Sequence, residues 1–234
     1  MPGPICPSVA LWQGLVATKS CEVRVKRGSK SLSAVGNVRI IAGEWRGRRL
    51  PVADVPGLRP TADRARETVF NWLQPYIGGA RCLDLFAGSG ALGLEAASRG
   101  AGYVCLIEKE LKAYKQLQAN IETLKASDKV GVVKGDALTC LRSNANETWD
   151  IVFVDPPWQM ACQEQVLELL LKHYSLPPVD HKLNNKTSGV LNTHGMVYME
   201  SPIEQSIVIP SNLTVCKEKT IGMARMQLLK LDNE

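Results

Sequence analysis

The chain has 234 residues, 45% of them apolar and 22% charged, with a formal net charge of +5. That balance fits one ordinary α/β domain plus a small appendage, able to bury a core unaided, and excludes a wholly disordered chain. No apolar run approaches the roughly 20 residues that a membrane-spanning helix needs, so no membrane partner is expected.

The positive charge is concentrated in one place. Between residues 19 and 49 nine basic residues (Lys19, Arg24, Lys26, Arg27, Lys30, Arg39, Arg46, Arg48, Arg49) stand against Glu22 and Glu44, which leaves the rest of the chain slightly acidic. An arm of that kind suits a phosphate-bearing partner, with a solubilising tail as the alternative. The seven cysteines are scattered, odd in number and without a C-x-x-C pair, as expected of a reducing cytoplasm. An apolar run over residues 9–17 is broken by Gln13 and Gly14 and no Lys or Arg precedes it, which argues against a secretory leader.

Residues 1–35, rich in Gly, Pro, Ser and Lys and without a sustained period, are expected to form a basic extension lacking fixed structure. Residues 36–57 read as a small basic β-hairpin around a glycine-containing turn, with Arg39, Arg46, Arg48 and Arg49 as its cations and Trp45 as its own packing contact in preference to a base-stacking platform. From residue 58 to the end the pattern predicts one domain. Thr61 can cap a helix that places Ala65, Val69, Trp72 and Leu73 on one face and leaves Arg59, Arg64, Arg66 and Glu67 for other surfaces. Arg64 and Arg66, one turn from the proline-fixed start, are placed to reach an anionic group.

Regular βα alternation follows. Strands are predicted over residues 81–86, 103–108, 130–134 and 150–155, and helices over 91–99, 111–124 and 161–173. Leu111, Tyr114, Leu117, Ile121 and Leu124 are expected on the buried side of the second helix. A loop is expected over 176–193, a fifth strand over 195–201, and a closing hairpin from 213–216 and 226–231. No internal repeat is present, and the three histidines show no metal-ligand spacing.

Two turns carry the chemistry. Leu85-Phe86-Ala87-Gly88-Ser89-Gly90-Ala91-Leu92-Gly93 opens the unit, and Asp155-Pro156-Pro157-Trp158 closes its far side. Each follows a short apolar strand, so both should lie at the carboxyl ends of parallel strands, where ligands bind in open α/β sheets. Gly88, Gly90 and Gly93 match G-x-G-x-x-G, with Glu108 ending the next strand where an acid can grip ribose hydroxyls. A nicotinamide cofactor would fit that much. Asp84 inside the first strand's end suits the ammonium of a methionine moiety better than a pyrophosphate. Asp136, after the third strand, can accept from an adenine amine, and the Asp-Pro-Pro-Trp turn has no role in hydride transfer. Together these favour S-adenosylmethionine, although each acid alone could be a loop carboxylate or helix cap. The second turn offers a carboxylate, a carbonyl and an aromatic face, which suit a planar base bearing an amine.

Residues Arg59-Pro60-Thr61-Ala62-Asp63-Arg64-Ala65-Arg66-Glu67-Thr68-Val69-Phe70-Asn71-Trp72-Leu73, the glycine turn from Leu83 through Ala96, and Val152-Phe153-Val154-Asp155-Pro156-Pro157 together resemble the RsmD family. These are bacterial methyltransferases that modify the exocyclic N2 of one guanine in small-subunit ribosomal RNA. The resemblance runs from about Val38 to the C-terminus. It implies a Rossmann-like class I S-adenosylmethionine-dependent fold, a mostly parallel sheet with helices on both faces, preceded by the basic hairpin. It also implies that Asp84, Phe86, Gly88, Ser89, Gly90, Glu108, Asp136 and Ala137 line the cofactor site, with Thr61 in the covering segment. Asp155, Pro156 and Trp158 would hold and activate the base, and Arg39, Arg46, Arg48, Arg49, Arg59 and Arg64 would meet the RNA. Trp158 stands where related sequences usually carry Phe or Tyr. The implied partner is ribosomal RNA within the small subunit, met by a monomer. A DNA adenine-N6 methyltransferase, a non-catalytic ribosome-assembly factor, a protein-glutamine methyltransferase and a nicotinamide oxidoreductase are the alternatives.

Overall fold

The computed structural model describes residues 34–55, 63–143, 147–171 and 190–232. Arg59, Thr61, nearly all of the basic extension and most of the loop expected over 176–193 lie outside the described residues.

The hairpin comes first, from β1 (Ala34–Arg39) and β2 (Arg49–Ala53), paired antiparallel with Val38 opposite Leu50. After α1 (Asp63–Leu73) the chain alternates: β3 (Arg81–Asp84), α2 (Gly93–Ser98), β4 (Tyr103–Glu108), α3 (Leu111–Leu124), β5 (Val130–Lys134), α4 (Ala137–Ser143), β6 (Trp149–Val154) and α5 (Gln163–Leu171). β7 (Leu191–Pro202), β8 (Leu213–Ile221) and β9 (Ala224–Leu231) complete a seven-stranded sheet in the order β5-β4-β3-β6-β7-β9-β8. The first five of these strands are parallel, β9 runs antiparallel to β7, and β8 runs antiparallel to β9.

The parallel strands are nearly unbroken apolar runs, Val104-Cys105-Leu106-Ile107 and Ile151-Val152-Phe153-Val154, because helices cover them on both faces. One face gathers Cys82, Leu106, Phe153 and Tyr198 with α1, α2, α3 and the apolar side of the hairpin, including Ile40, Trp45 and Leu50. The other gathers Leu83, Cys105, Val152 and Met199 with α4 and α5. The hairpin therefore shares the main core. Gly43 makes the close approach possible. At φ +82 it lies so near α2 that a Cβ would fall 1.8 Å from the Ser98 carbonyl oxygen, the same oxygen that accepts the Glu44 N–H at 2.8 Å.

The predicted strands are all present. Most keep their expected ends to within a residue or two, but β7 and β8 are longer than predicted. β7 starts at Leu191, four residues earlier than the turn-like Asn192-Thr193 suggested, because Leu191 pairs with Trp149 across a register irregularity. β8 continues to Ile221 because its polar residues Lys217, Glu218, Lys219 and Thr220 keep pairing with β9 at the sheet's edge. Two side chains are corrected. Leu111 is 48% exposed, since a series of three-residue steps falls about 60° short of a full turn each time and leaves it about 120° round the helix from buried Leu117. Arg66, assigned to an outer surface, is fully buried. It lies on the same stripe as Val69, Phe70 and Leu73.

Trp45 packs as expected. It is buried in the shared core, with the Lys129 ammonium 4.8 Å from its ring centroid.

Candidate active site

The strand order reverses between the parallel neighbours β3 and β6, the chain adding β4 and β5 on one side and β7 on the other, and the two chemistry-bearing turns leave the carboxyl ends of those two strands. The chain leaves β3 towards one side of the sheet, into α2, and β6 towards the other, into α5, the arrangement by which open α/β sheets make room for a ligand.

The first turn is built by its glycines and by Glu108. Gly88 and Gly90 take φ +53 and +79, left-handed values that side chains disfavour. Glu108, 8% exposed at the end of β4, accepts the Gly88 N–H at 2.8 Å through Oε2 and the Glu110 N–H at 2.6 Å through Oε1. Burial pushes its carboxyl up, against the pull of these backbone donors. Glu108 thus stitches the glycine turn to β4, and its spare lone pairs remain available to a ribose. Ser89 and Ala137 are buried and Phe86 is half-buried beside the same strand ends.

Asp84 carries the most unusual electrostatics. It is 1% exposed, Oδ2 accepts the Gly93 N–H at 3.0 Å, and Oδ1 is buried with no hydrogen-bond partner. Desolvation pushes its pKa up to about 7, although the N–H groups of Gly93 and Phe86 act in the opposite sense. A buried, half-satisfied carboxylate has its affinity invested in a donor still to come, and an ammonium is the donor that would stabilise it most. The orphaned oxygen is the observation by which these residues fit the methionine end of S-adenosylmethionine.

Asp136 is already engaged. Its Oδ1 accepts from the Thr139 N–H and hydroxyl at 3.1 and 3.2 Å, capping α4, and its Oδ2 lies 3.5 Å from Lys109 Nζ. Desolvation would raise its carboxyl, but these donors hold it below the usual range. The second turn follows β6. Asp155 is half-buried, Pro156 buried and Pro157 exposed. Trp158, 44% exposed, starts a 3-10 turn (Trp158–Met160) fixed by the Met160 N–H to the Pro157 carbonyl at 2.8 Å.

Of the expected RNA contacts, Arg46 and Arg49 are exposed on the hairpin and Arg64 on α1. Arg39 sits 3.6 Å from Asp63, and Arg48 donates to the Thr123 carbonyl at 3.1 Å. Sequence reasoning missed the network beneath them. Buried Glu95 on α2 accepts the Ile41 and Ala42 N–H groups at 2.7 and 3.0 Å and pairs with Arg99 at 2.7 Å and Arg66 at 3.5 Å. Arg66 in turn donates to the Arg39 carbonyl at 2.8 Å and to Asp63 at 2.6 Å. The signal for Arg66 was its place on the apolar stripe. For Glu95 it was an acid alone in Gly93-Leu94-Glu95-Ala96-Ala97-Ser98.

Fold and site together define a class: this is an S-adenosylmethionine-dependent methyltransferase fold, with the glycine turn and three acids at the carboxyl ends of neighbouring strands. The family model described as "Conserved hypothetical protein 95" matches residues 38–230, and the chain belongs to that family, the RsmD family of its motif resemblance. It is 43% identical over 197 residues to ribosomal RNA small subunit methyltransferase D of Escherichia coli K12, covering 84% of this chain and 91% of that one. The protein of the same name from Haemophilus influenzae is 41% identical over 198 residues, 84% of this chain and 95% of that one. Among solved structures, a putative methyltransferase of Escherichia coli superposes with a TM-score of 0.72 at 40% identity, covering 84% of this chain and 99% of that one.

Proposed function

We propose that the protein transfers a methyl group from S-adenosylmethionine to the exocyclic N2 amine of a guanine in small-subunit ribosomal RNA. The observation that carries the reading is the juxtaposition on β3 and β6, in parallel register with Asp84 opposite Phe153, of a buried half-satisfied carboxylate and the Asp-Pro-Pro-Trp turn. The naming of its relatives as ribosomal RNA methyltransferases supports the RNA substrate.

When bound, the cofactor supplies an electrophilic methyl on a sulfonium. The chain's own residues do the rest. A guanine amine is a poor nucleophile because its lone pair is shared with the ring. Acceptance of its two N–H bonds by the Asp155 carboxylate and the Pro156 carbonyl draws the nitrogen towards a pyramidal form and aims the lone pair. With the methyl transferred and S-adenosylhomocysteine as the leaving group, Asp155 would take the surplus amine proton and pass it to water. No strong base is required, since the amine turns acidic only as the bond forms. Holding nitrogen and methyl in line and in contact contributes up to roughly 7–11 kcal/mol when orientation is good. Trp158 stacks on a base taken out of its own structure, an interaction worth about 1–3 kcal/mol. The basic hairpin meets the surrounding phosphates, and single-stranded loops are where RNA bases can be read in this way.

The test is transfer of labelled methyl from S-adenosylmethionine to hypomethylated small subunits, free ribosomal RNA and duplex DNA, followed by nucleoside analysis. N2-methylguanosine from subunits or RNA is expected, and the form that yields it identifies the substrate. N6-methyladenine in DNA would keep the fold and replace the substrate, and no transfer to any of them would favour a binding role in ribosome assembly. Asp155→Ala is expected to abolish turnover while sparing cofactor affinity; an equal loss of both would remove Asp155 from the base.

A further inference from the structure

The Asp-Pro-Pro-Trp turn has a neighbour. β6 and β7 are parallel with Phe153 opposite Tyr198 and Val154 opposite Met199, so Asp155 and Glu200 are the next residues along their two strands. Side chains alternate between faces with period two, which puts both acids on the face of Phe153 and Tyr198, the face that Asp84 shares one strand further over. Adjacent strands run about 4.8 Å apart, so the two carboxylates leave the sheet edge side by side.

Glu200 is held in place there. The hydroxyl of fully buried Tyr198 donates to its Oε2 at 2.9 Å, and Gln163 Nε2 donates to its backbone carbonyl at 3.2 Å. Burial raises the Glu200 carboxyl above its usual range, opposed by the Tyr198 hydroxyl. A half-buried acid kept at the carboxyl end of a parallel strand has an energetic cost, and the transfer step as derived above gives it nothing to do. It also retains acceptor capacity beyond the one bond from Tyr198.

We propose that Glu200 reads the base, accepting the guanine N1–H while Asp155 and the Pro156 carbonyl hold the adjacent N2 amine. The inference rests on the guanine-N2 reading and adds the means of selection. Guanine presents a ring N–H beside its amine, whereas adenine and cytosine present a bare ring nitrogen there, which a carboxylate repels. Sites built around a buried hydrogen-bond partner reject analogues that leave it unpaired, by factors that reach about 10⁴. Glu200 is in this sense a specificity-determining residue, distinct from Asp155, whose contact is with the reacting amine.

The experiment uses the full chain, S-adenosylmethionine and substrate ribosomal RNA in which the modified guanosine, mapped first from the product, is replaced by 2-aminopurine riboside. That base keeps the 2-amine but has an unprotonated N1. Wild type is expected to modify guanine at least about 100-fold faster than 2-aminopurine. Glu200→Gln, whose amide can donate to N1, is expected to narrow that ratio at least about tenfold while binding S-adenosylmethionine as wild type does. A wild-type ratio near one overturns the inference, and so does an unchanged ratio in a Glu200→Gln protein that still binds the cofactor. If that variant fails to bind it, the wild-type ratio alone decides. Failure to form N2-methylguanosine from guanine is a different result: it overturns the proposed function, and the reading of Glu200 with it.

Discussion

Asp84 shows how one side chain can trade stability for binding. Its pKa is raised from an ordinary 3.8 to about 7 by burial, so below neutral pH the folded protein holds a proton that the unfolded chain has already released. The contribution is fully present below about pH 4, is lost as the pH climbs towards 7, and is constant above. The gap between the two values corresponds to about 4 kcal/mol. Asp84→Asn keeps an acceptor for the Gly93 N–H and carries no charge to desolvate. The variant should match wild type in stability near pH 4 and exceed it by a few kcal/mol above pH 7, as read from denaturant midpoints across that range. It should also bind S-adenosylmethionine at least about tenfold more weakly, the proposed hydrogen bond to the ammonium having lost its charge. A stability difference that does not change with pH would remove Asp84 as its source. The acids at strand ends were legible in the sequence because each interrupts or terminates an apolar run. The helix cap, weighed from the sequence as an alternative for each acid, is what Asp136 makes on α4; what was not legible is that Glu108 spends both its oxygens on backbone N–H groups, since those partners come from the turns that it shapes.

At the scale of elements, the strands and helices announced themselves through period and composition, and the docking of one element on another did not. The hairpin was visible as a hairpin, but its attachment depends on a carboxylate and a guanidinium 29 residues apart, both fully buried, the first accepting two of its backbone N–H groups and the second donating to one of its carbonyls. Long-range partners of that kind leave only a local trace, an acid or an arginine where the period calls for an apolar residue. Leu111 failed for the opposite reason: a three-residue spacing looks helical over one turn and drifts off the face over three. Removing one member of a buried ion pair leaves the other uncompensated, at a cost of about 3–5 kcal/mol. Glu95→Ala should therefore loosen the hairpin before the sheet. In hydrogen exchange the amides of β1 and β2 should speed up more than those of β4. RNA affinity should fall more than cofactor affinity. Equal acceleration in all three strands would mean that Glu95 supports the whole core and not the hairpin alone.

For the whole molecule the balance of charge poses a problem that the hairpin answers. The carboxyl edge of the sheet gathers Asp84, Glu108, Asp136, Asp155 and Glu200, an acidic rim suited to a cationic cofactor and to amine donors but repellent to a polyanion. The proposed RNA substrate would have to gain its attraction elsewhere, within the roughly 8 Å over which charges act at physiological salt. The excess cations lie on the segment ahead of the domain, where Arg46 and Arg49 are exposed and, unlike Arg39 and Arg48, are not tied to Asp63 or to the Thr123 carbonyl. Each phosphate neutralised on a single strand steepens the salt dependence of binding by about 0.7 in log K against log salt. Replacing both Arg46 and Arg49 by alanine should therefore flatten that slope by about 1.4 and weaken RNA binding at low salt most. Affinity for S-adenosylmethionine should stay where it was, because neither side chain is among the residues that would hold the cofactor. A fall in RNA affinity with the slope unchanged would show that these arginines act through the shape of the hairpin and not through phosphate contacts, and the electrostatic account of how an acidic rim receives RNA would then have to rest on other cations.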